Sequence, residues 1–450
     1  MKYFRRIYPL KDLPPEIKAV TFAKCSRSPL PFDEIAKELT EEKSSQFHEK
    51  WVLGFGHSSI AEHAVLSLAI ENVSILATKA IEDTRLASFT EKSTRYQLFE
   101  KDKFYQPKKI LDSEFKDLYT KTCSNLINFY LEIFEKIKEK IKDEFPNLSE
   151  IEIKSKTCDI IRVILPTATL TNLGMTINAR SLAHLIRKLL SSPLEEFQEI
   201  GEELKEAGLK ITPTLLKYTQ PSQYLIETSK NLEKLAKKLL VSKSRSKKPV
   251  ELVAYDKDAE ERVLTALLYR FSKLSYREIK AKVKKMSRKE KEKIFLQAME
   301  KRTEHERPLR ELEHTYYTFD ILLDYGAFRD LQRHRICTQT NQELGIEYGY
   351  SIPQEIVKYG FKKEFEEKMR EAVLAFKKIA KRFPKEAQYV LPLAFRKRFL
   401  ITLNLRELYH LIPLRTSSKA HPSYRQIAQA MYQEVKKVHP LLTKYLVCGK

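Results

Sequence analysis

Arg329, Arg333, His334 and Arg335 crowd into one short stretch, FRDLQRHRICTQ, preceded by the apolar Ile321, Leu322 and Leu323. Guanidiniums this close repel one another unless an anion or carboxylates neutralise them. Phosphate suits them, because arginine presents a fork of fixed geometry. Asp324 and Asp330 offer the alternative of an internal ion-pair cluster. Far upstream, IEDTRLASFTEKSTRYQ carries Ser93 and Arg95 two residues apart. In an extended segment such a pair points the same way and would grip a phosphate or carboxylate. The five cysteines (Cys25, Cys123, Cys158, Cys337, Cys448) contain no C-x-x-C pair, so neither a metal site nor a disulfide framework is indicated. Cys337, just past the arginine cluster, reads as a packing residue, and a reducing cytoplasm is the expected setting.

The elements that must position these groups come in pairs. Glu62-His63 opens EHAVLSLAI and Glu313-His314 opens EHTYYTFDI, each alternating apolar residues as a half-buried strand does. A helix-like stretch follows in both, ending at Arg85 and Arg335. Downstream, VILPTATLTNLGMTINARSLAHLI (163–186) faces YVLPLAFRKRFLITLNLRELYHLI (389–412). Pro166 and Pro392, Asn178 and Asn404, Arg180 and Arg406, and His184 and His410 all share one separation. On a helix, arginine and histidine four apart share a face. Glu62 and Glu313 are expected to steady their adjacent histidines, and Trp51 to sit in the first core. Lys/Ser-rich 234–250 reads as a basic linker. The chain is thus a tandem duplication of an α+β domain, 1–233 and 251–450, with mixed or antiparallel sheets and packed helices.

These strings resemble the flavin-dependent thymidylate synthases, whose signature is R-H-R followed by two spaced serines and R-Y. DTRLASFTEKSTRY lacks only the first Arg and His; RHRICTQTNQELGI keeps R-H-R but has Glu343 and Gly345 in place of the second serine and its arginine. GHSSIAEH (56–63), RVILP (162–166), TINAR and TLNLR extend the resemblance over most of both copies. It implies an oligomeric enzyme with sites shared between domains, here a homodimer forming a pseudo-tetramer. FAD would be the cofactor, with dUMP as substrate and methylenetetrahydrofolate and NADPH as co-substrates. By the same resemblance Ser93, Arg95, Arg162 and Arg415 hold the nucleotide, with Arg415 acting on its base. Arg333, His334, Arg335, His57, Ser59 and Glu91 fall on the flavin side. So do Asn178, Arg180 and His184 with their counterparts Asn404, Arg406 and His410. Copy one keeps the S-x-R grip and Arg162 where copy two has Gln388. Copy two keeps R-H-R and Arg415 where copy one has Asp83-Thr84 and Leu189.

Composition limits the alternatives. A 42% apolar content is globular, and no apolar run is long enough to span a membrane. MKYFRRIYPL lacks the apolar stretch of a secretory signal. A net charge of +22, from 82 basic and 60 acidic residues, could serve nucleic acid or phosphorylated small molecules. The lysines are interleaved with glutamates, which fits solvated helix faces better than a nucleic-acid stripe. Two other readings stand beside the first: the same scaffold acting on another pyrimidine, free or in nucleic acid, and a non-catalytic nucleotide-binding paralogue.

Overall fold

The computed structural model describes residues 5–54, 56–241 and 246–449. Each half builds one antiparallel sheet. In the first, β1 (Val65–Ser74), β2 (Ala87–Glu91) and β3 (Leu170–Asn178) lie in the order β1-β3-β2. In the second, β4 (Val250–Tyr255), β5 (Tyr316–Asp324), β6 (Thr338–Asn341) and β7 (Arg396–Asn404) lie in the order β4-β5-β7-β6. Apart from the added edge strand β4, the two sheets are the same design. Val65 pairs with Asn178 as Tyr316 pairs with Asn404.

The helix-like stretches after β1 and β5 are Ile75–Ile81 and Tyr325–Gln332, begun by Ser74 and Asp324, whose side chains accept from the Ala77 and Ala327 amides. Asn178 and Asn404 likewise cap the helices Ala179–Leu190 and Leu405–Thr416, accepting from Ser181 and Glu407 amides. Side-chain acceptors at this position satisfy amide donors that a helix start leaves orphaned. The asparagines of N-x-R therefore stand before the helix rather than on it. The longer middle of the first half is the helix Lys116–Glu144, against Lys362–Ile379 in the second. The basic linker is partly structured: helix Gln223–Leu239 runs into it, and its residues 242–245 lie outside the described ones. Trp51 is half-buried rather than a core residue, in a π-helical turn with Arg27 4.2 Å over its ring.

The halves meet about a local two-fold. Thr167 N donates to Leu391 O at 3.0 Å and Leu393 N to Leu165 O at 2.9 Å. Ala168 N donates to Tyr389 O at 3.1 Å, and Ala394 N to Val163 O at 2.8 Å. Pro166 bridges Pro392 at the crossing point. Prolines lack an N–H, so the ladder takes its donors from the residues beside them. Buried Glu196 adds a tie, accepting from the Ser74 amide and hydroxyl and from the Tyr389 hydroxyl. One hydrophobic cluster runs through both halves, from Ile75 and Tyr130 to Phe395 and Met431. Burial of such area is the main drive holding them together. No helix among the described residues is long and apolar enough to cross a membrane.

Candidate functional site

The turn after β2 and the end of helix Glu150–Ile161 carry the first half's contribution. Ser93–Arg95 is not extended: residues 94–96 form a turn, and the Ser93 hydroxyl closes it by accepting from the Arg95 amide at 3.1 Å. Serine and guanidinium are therefore not parallel. Arg95 forms a two-pronged pair with Asp159, Nε to Oδ1 at 2.6 Å and Nη2 to Oδ2 at 2.7 Å. It also reaches the second half, at the Lys419 carbonyl (3.3 Å) and the Tyr424 hydroxyl (3.5 Å). Arg162 is buried at that helix's end, with Nη2 3.2 Å from Asp330 Oδ2 across the interface. Its Nε has no acceptor.

Asp330 is the centre of the arrangement. Burial alone would raise its carboxyl, but Arg162, Arg333, Arg415 and Arg329 outweigh that and hold it well below the usual carboxylate range. Arg329 itself pairs with Glu91 of the first half at 2.8 Å. Glu91 also takes Lys79 at 3.2 Å and the Thr78 hydroxyl. Burial would raise Glu91, and Arg329, Lys79 and Arg333 instead hold it well below the usual carboxylate range. With both carboxylate oxygens engaged inside the protein, Glu91 braces the site rather than facing a cofactor. The ion-pair alternative is thus met in part: Arg329 is neutralised by Glu91, while Asp324 serves as a helix cap.

Arg415, on helix Leu405–Thr416, donates from Nε to His334 Nε2 at 3.0 Å. A guanidinium only donates, so His334 Nε2 accepts and its proton sits on Nδ1, directed at Glu407 Oε1 2.7 Å away. Burial lowers the His334 pKa, Glu407 opposes that, and Arg415 adds to it. The imidazole stays neutral as a rigid strut between Glu407 and Arg415. His334, Glu407 and His410 place their ligand atoms within 4.8 Å of one another, a spacing a cation could use. Both His334 nitrogens are already spent on Glu407 and Arg415. Arg333 is exposed and makes no side-chain hydrogen bond or ion pair among the described residues.

The remaining flavin-side expectations do not gather here. Arg335 crosses the interface to donate to Ala87 O at 2.7 Å, and its equivalent Arg85 crosses the other way to Cys337 O at 3.4 Å. They form a reciprocal clasp. Arg180 pairs with Glu62, and Arg406 with Glu313 at 2.7 Å. The two glutamates therefore hold the N-x-R arginines rather than their neighbouring histidines. Asn178 and Asn404 spend their carbonyls on capping. His57 and Ser59 are exposed at the 3-10 turn Ser58–His63, which packs on helix Ala179–Leu190, beside Arg180 and His184. His184 and His410 are exposed, with His410 5.5 Å from the His334 ring. Cys337 is buried, and burial pushes its thiol up.

Sequence reasoning missed Asp159, Glu407 and Tyr424. Asp159 stands three residues before Arg162, so the helix end that presents one presents the other. Glu407 adjoins the arginine of N-x-R, and only the fold brings it to His334.

Residues 11–214 and 251–441 match the family model described as thymidylate synthase complementing protein. A UPF0159 protein of Chlamydia muridarum is 34% identical, over 98% of this chain and 91% of that protein. UPF0159 protein Ta1429 of Thermoplasma acidophilum is 31% identical, over 90% and 89% respectively. A flavin-dependent thymidylate synthase of Clostridium tetani is 28% identical, over 46% of this chain and 83% of that protein. A flavin-dependent thymidylate synthase of Helicobacter pylori, solved with FAD and dUMP, aligns at 17% identity and a TM-score of 0.34 over 44% of this chain and all of that one.

Proposed function

Because the chain belongs to the thymidylate synthase complementing protein family, we propose that it is a flavin-dependent thymidylate synthase whose nucleotide site is assembled from both halves of one chain. One observation carries this reading. Arg95 and Arg162 of the first half converge with Arg333, His334 and Arg415 of the second around Asp159 and Asp330.

Five guanidiniums (Arg95, Arg162, Arg329, Arg333, Arg415) face three carboxylates (Glu91, Asp159, Asp330), leaving positive charge for an anion. The dUMP phosphate would exchange with Asp159 at the Arg95 fork, a site built for two parallel bonds. Arg415, its Nε fixed by His334 and its guanidinium also bonded to Tyr424, would turn a remaining N–H to a pyrimidine carbonyl. A donor held there polarises the ring toward attack at C5. No side-chain nucleophile is invoked, in keeping with the inert, buried Cys337.

FAD fits the second-half side, where Arg333 is exposed and its fork unspent. Arg333 would hold it, with His334 positioning Arg415 beside it, and when bound it supplies hydride chemistry, with methylenetetrahydrofolate as carbon donor and NADPH as reductant. In the first half Asp83, at the place of Arg333, would repel the same phosphates. Two chains would supply a pseudo-tetramer.

Purified protein should be yellow and should release tritium from 5-labelled dUMP in the presence of folate and NADPH. A colourless protein with no release would sink the proposal. A second reading, another pyrimidine as substrate, free or in nucleic acid, is favoured by the +22 charge and by Glu343 and Gly345 in place of the second serine and its arginine. Filter binding of RNA and DNA at graded salt separates the two, since contacts to polynucleotide phosphates weaken steeply with salt.

A further inference from the structure

Across most of the chain lysines alternate with glutamates, but residues 270–289 hold nine basic side chains and one acidic, Glu278. They form the turn after helix Ala259–Tyr269, the helix Tyr276–Lys285 and the start of helix Arg288–Met299. The first half has a like arrangement ahead of β1, where a turn joins helices Pro15–Lys24 and Phe32–Lys37. Its corresponding residues 25–44 hold three basic side chains and five acidic. A general leaning of the surface toward lysine does not explain so large a difference between two copies of one design.

Little inside the protein answers this charge. Lys280 pairs with Asp258, and Arg288 with Glu260 and Glu292. The other seven basic side chains are exposed and make no ion pair among the described residues. The Glu278 carboxylate is spent on starting its helix, accepting from the Ser275 amide and hydroxyl. The helix dipole favours cations in the last turn, where Lys282, Lys284 and Lys285 stand, and disfavours them at the start. Arg277 is nevertheless at the start, with Arg270 and Lys273 leading into it. Those three need another reason.

Aromatic rings share the turn. Phe271 is 82% exposed and Tyr269 52%, and Tyr276 is exposed as well. The Arg270 guanidinium lies 5.7 Å from the centre of the Phe271 ring. A phenyl ring left in water gains nothing for the fold. Rings set among unpaired cations suit a single-stranded polynucleotide, whose bases stack on the rings while its phosphates meet the cations. A duplex keeps its bases stacked on one another and could use only the charge. An anionic membrane would need an apolar helix face, but Ile279 and Val283 of this helix are buried in the protein.

We propose that residues 269–289 are a docking surface for single-stranded nucleic acid, separate from the central arginines and independent of the reaction there. The probe is a labelled oligoadenylate of about 20 nucleotides, which offers the central site no pyrimidine. Its binding to the full-length protein is followed by fluorescence anisotropy at graded salt. The expected slope of log affinity against log salt is about −2 or steeper, as for three or more phosphate contacts. Phe271→Ala should weaken binding about tenfold and leave that slope unchanged. Arg277→Glu combined with Lys284→Glu should weaken it as well and flatten the slope by about one unit or more. All three side chains are exposed, so melting curves should stay native. A duplex of equal length should bind more weakly, and Arg95→Ala should bind as the unaltered protein does.

No binding at about 100 µM protein in low salt overturns the inference. So does binding that ignores both variants, or a duplex bound as tightly as the single strand. Binding that falls in Arg95→Ala also overturns it, since the polynucleotide then sits at the central arginines. Vesicles rich in phosphatidylserine that bind while the oligonucleotide does not would make the surface a membrane contact instead. None of these outcomes touches dUMP turnover, which stands or fails by tritium release.

Discussion

Residues 81–96 and 331–346 occupy equivalent places, yet they do opposite work. The second-half segment leaves its helix into His334, locked between Glu407 and Arg415, and the exposed Arg333. It then runs into β6 and ends with Gly345 where the first half has Arg95. The first-half segment starts with Asp83 held by Lys188 and ends in a turn that delivers Arg95 across the interface. Lys79 and Arg329, also equivalent, share one carboxylate, Glu91. A half that keeps a cation at one end of this segment gives it up at the other. The two are complementary because the local two-fold places the end of one beside the beginning of the other.

The sharpest way to break the comparison is to remove one end. Arg95→Ala should cost about 100-fold in dUMP affinity or turnover, the size of losing one preorganised donor. Isothermal titration and the tritium assay check it; a change under threefold would move the nucleotide elsewhere. Asp330→Asn comes next. It leaves Arg162 buried beside Arg329, Arg333 and Arg415 without their carboxylate, which should cost about 3–5 kcal/mol in chemical denaturation. The first half has Ala80 at the equivalent place, so Ala80→Asp should not return that stability.

The clasp gives a smaller effect. Arg85→Ala and Arg335→Ala should each lose about 1 kcal/mol and should match one another, as reciprocal contacts would. If Arg335→Ala instead releases flavin while leaving the melting temperature intact, Arg335 is a cofactor anchor and the clasp is incidental.

A pH dependence offers a further test, through a group that the first half lacks. Lys397 is buried with Phe328 4.2 Å and Tyr325 5.4 Å from its ammonium, and burial lowers its pKa to about 8. Its first-half counterpart is Thr171. Between about 8 and the ordinary value of 10.5 the unfolded chain binds the extra proton and the folded one does not. Stability should therefore rise with pH across that window. Lys397→Met should flatten the rise, and an unaltered slope in denaturant titrations would assign it to another group.

Much of this was legible from residue spacing. The shared separations of Pro166/Pro392 and Asn178/Asn404 are those of strand, cap and helix, which local chemistry dictates. The division of S-x-R and R-H-R between the copies could be read directly. What could not be read were the partners. Arg95 meets Asp159 and Arg162 meets Asp330 only because helix Glu150–Ile161 ends against the other half. Ser93 reads as extended by alternation, but its hydroxyl competes for the Arg95 amide and closes a turn. The glutamates before β1 and β5 look like partners for adjacent histidines, yet sheet register carries them to Arg180 and Arg406.

The crossing at Pro166 and Pro392 has one more consequence. Two separate polypeptides meeting there would pair like with like as readily as unlike, so half of all encounters would join halves with the same gap. Covalent connection sets the ratio at one to one and raises the local concentration of the correct mate to about millimolar, whatever the expression level. Dilution, which dissolves ordinary oligomers, leaves this pairing untouched.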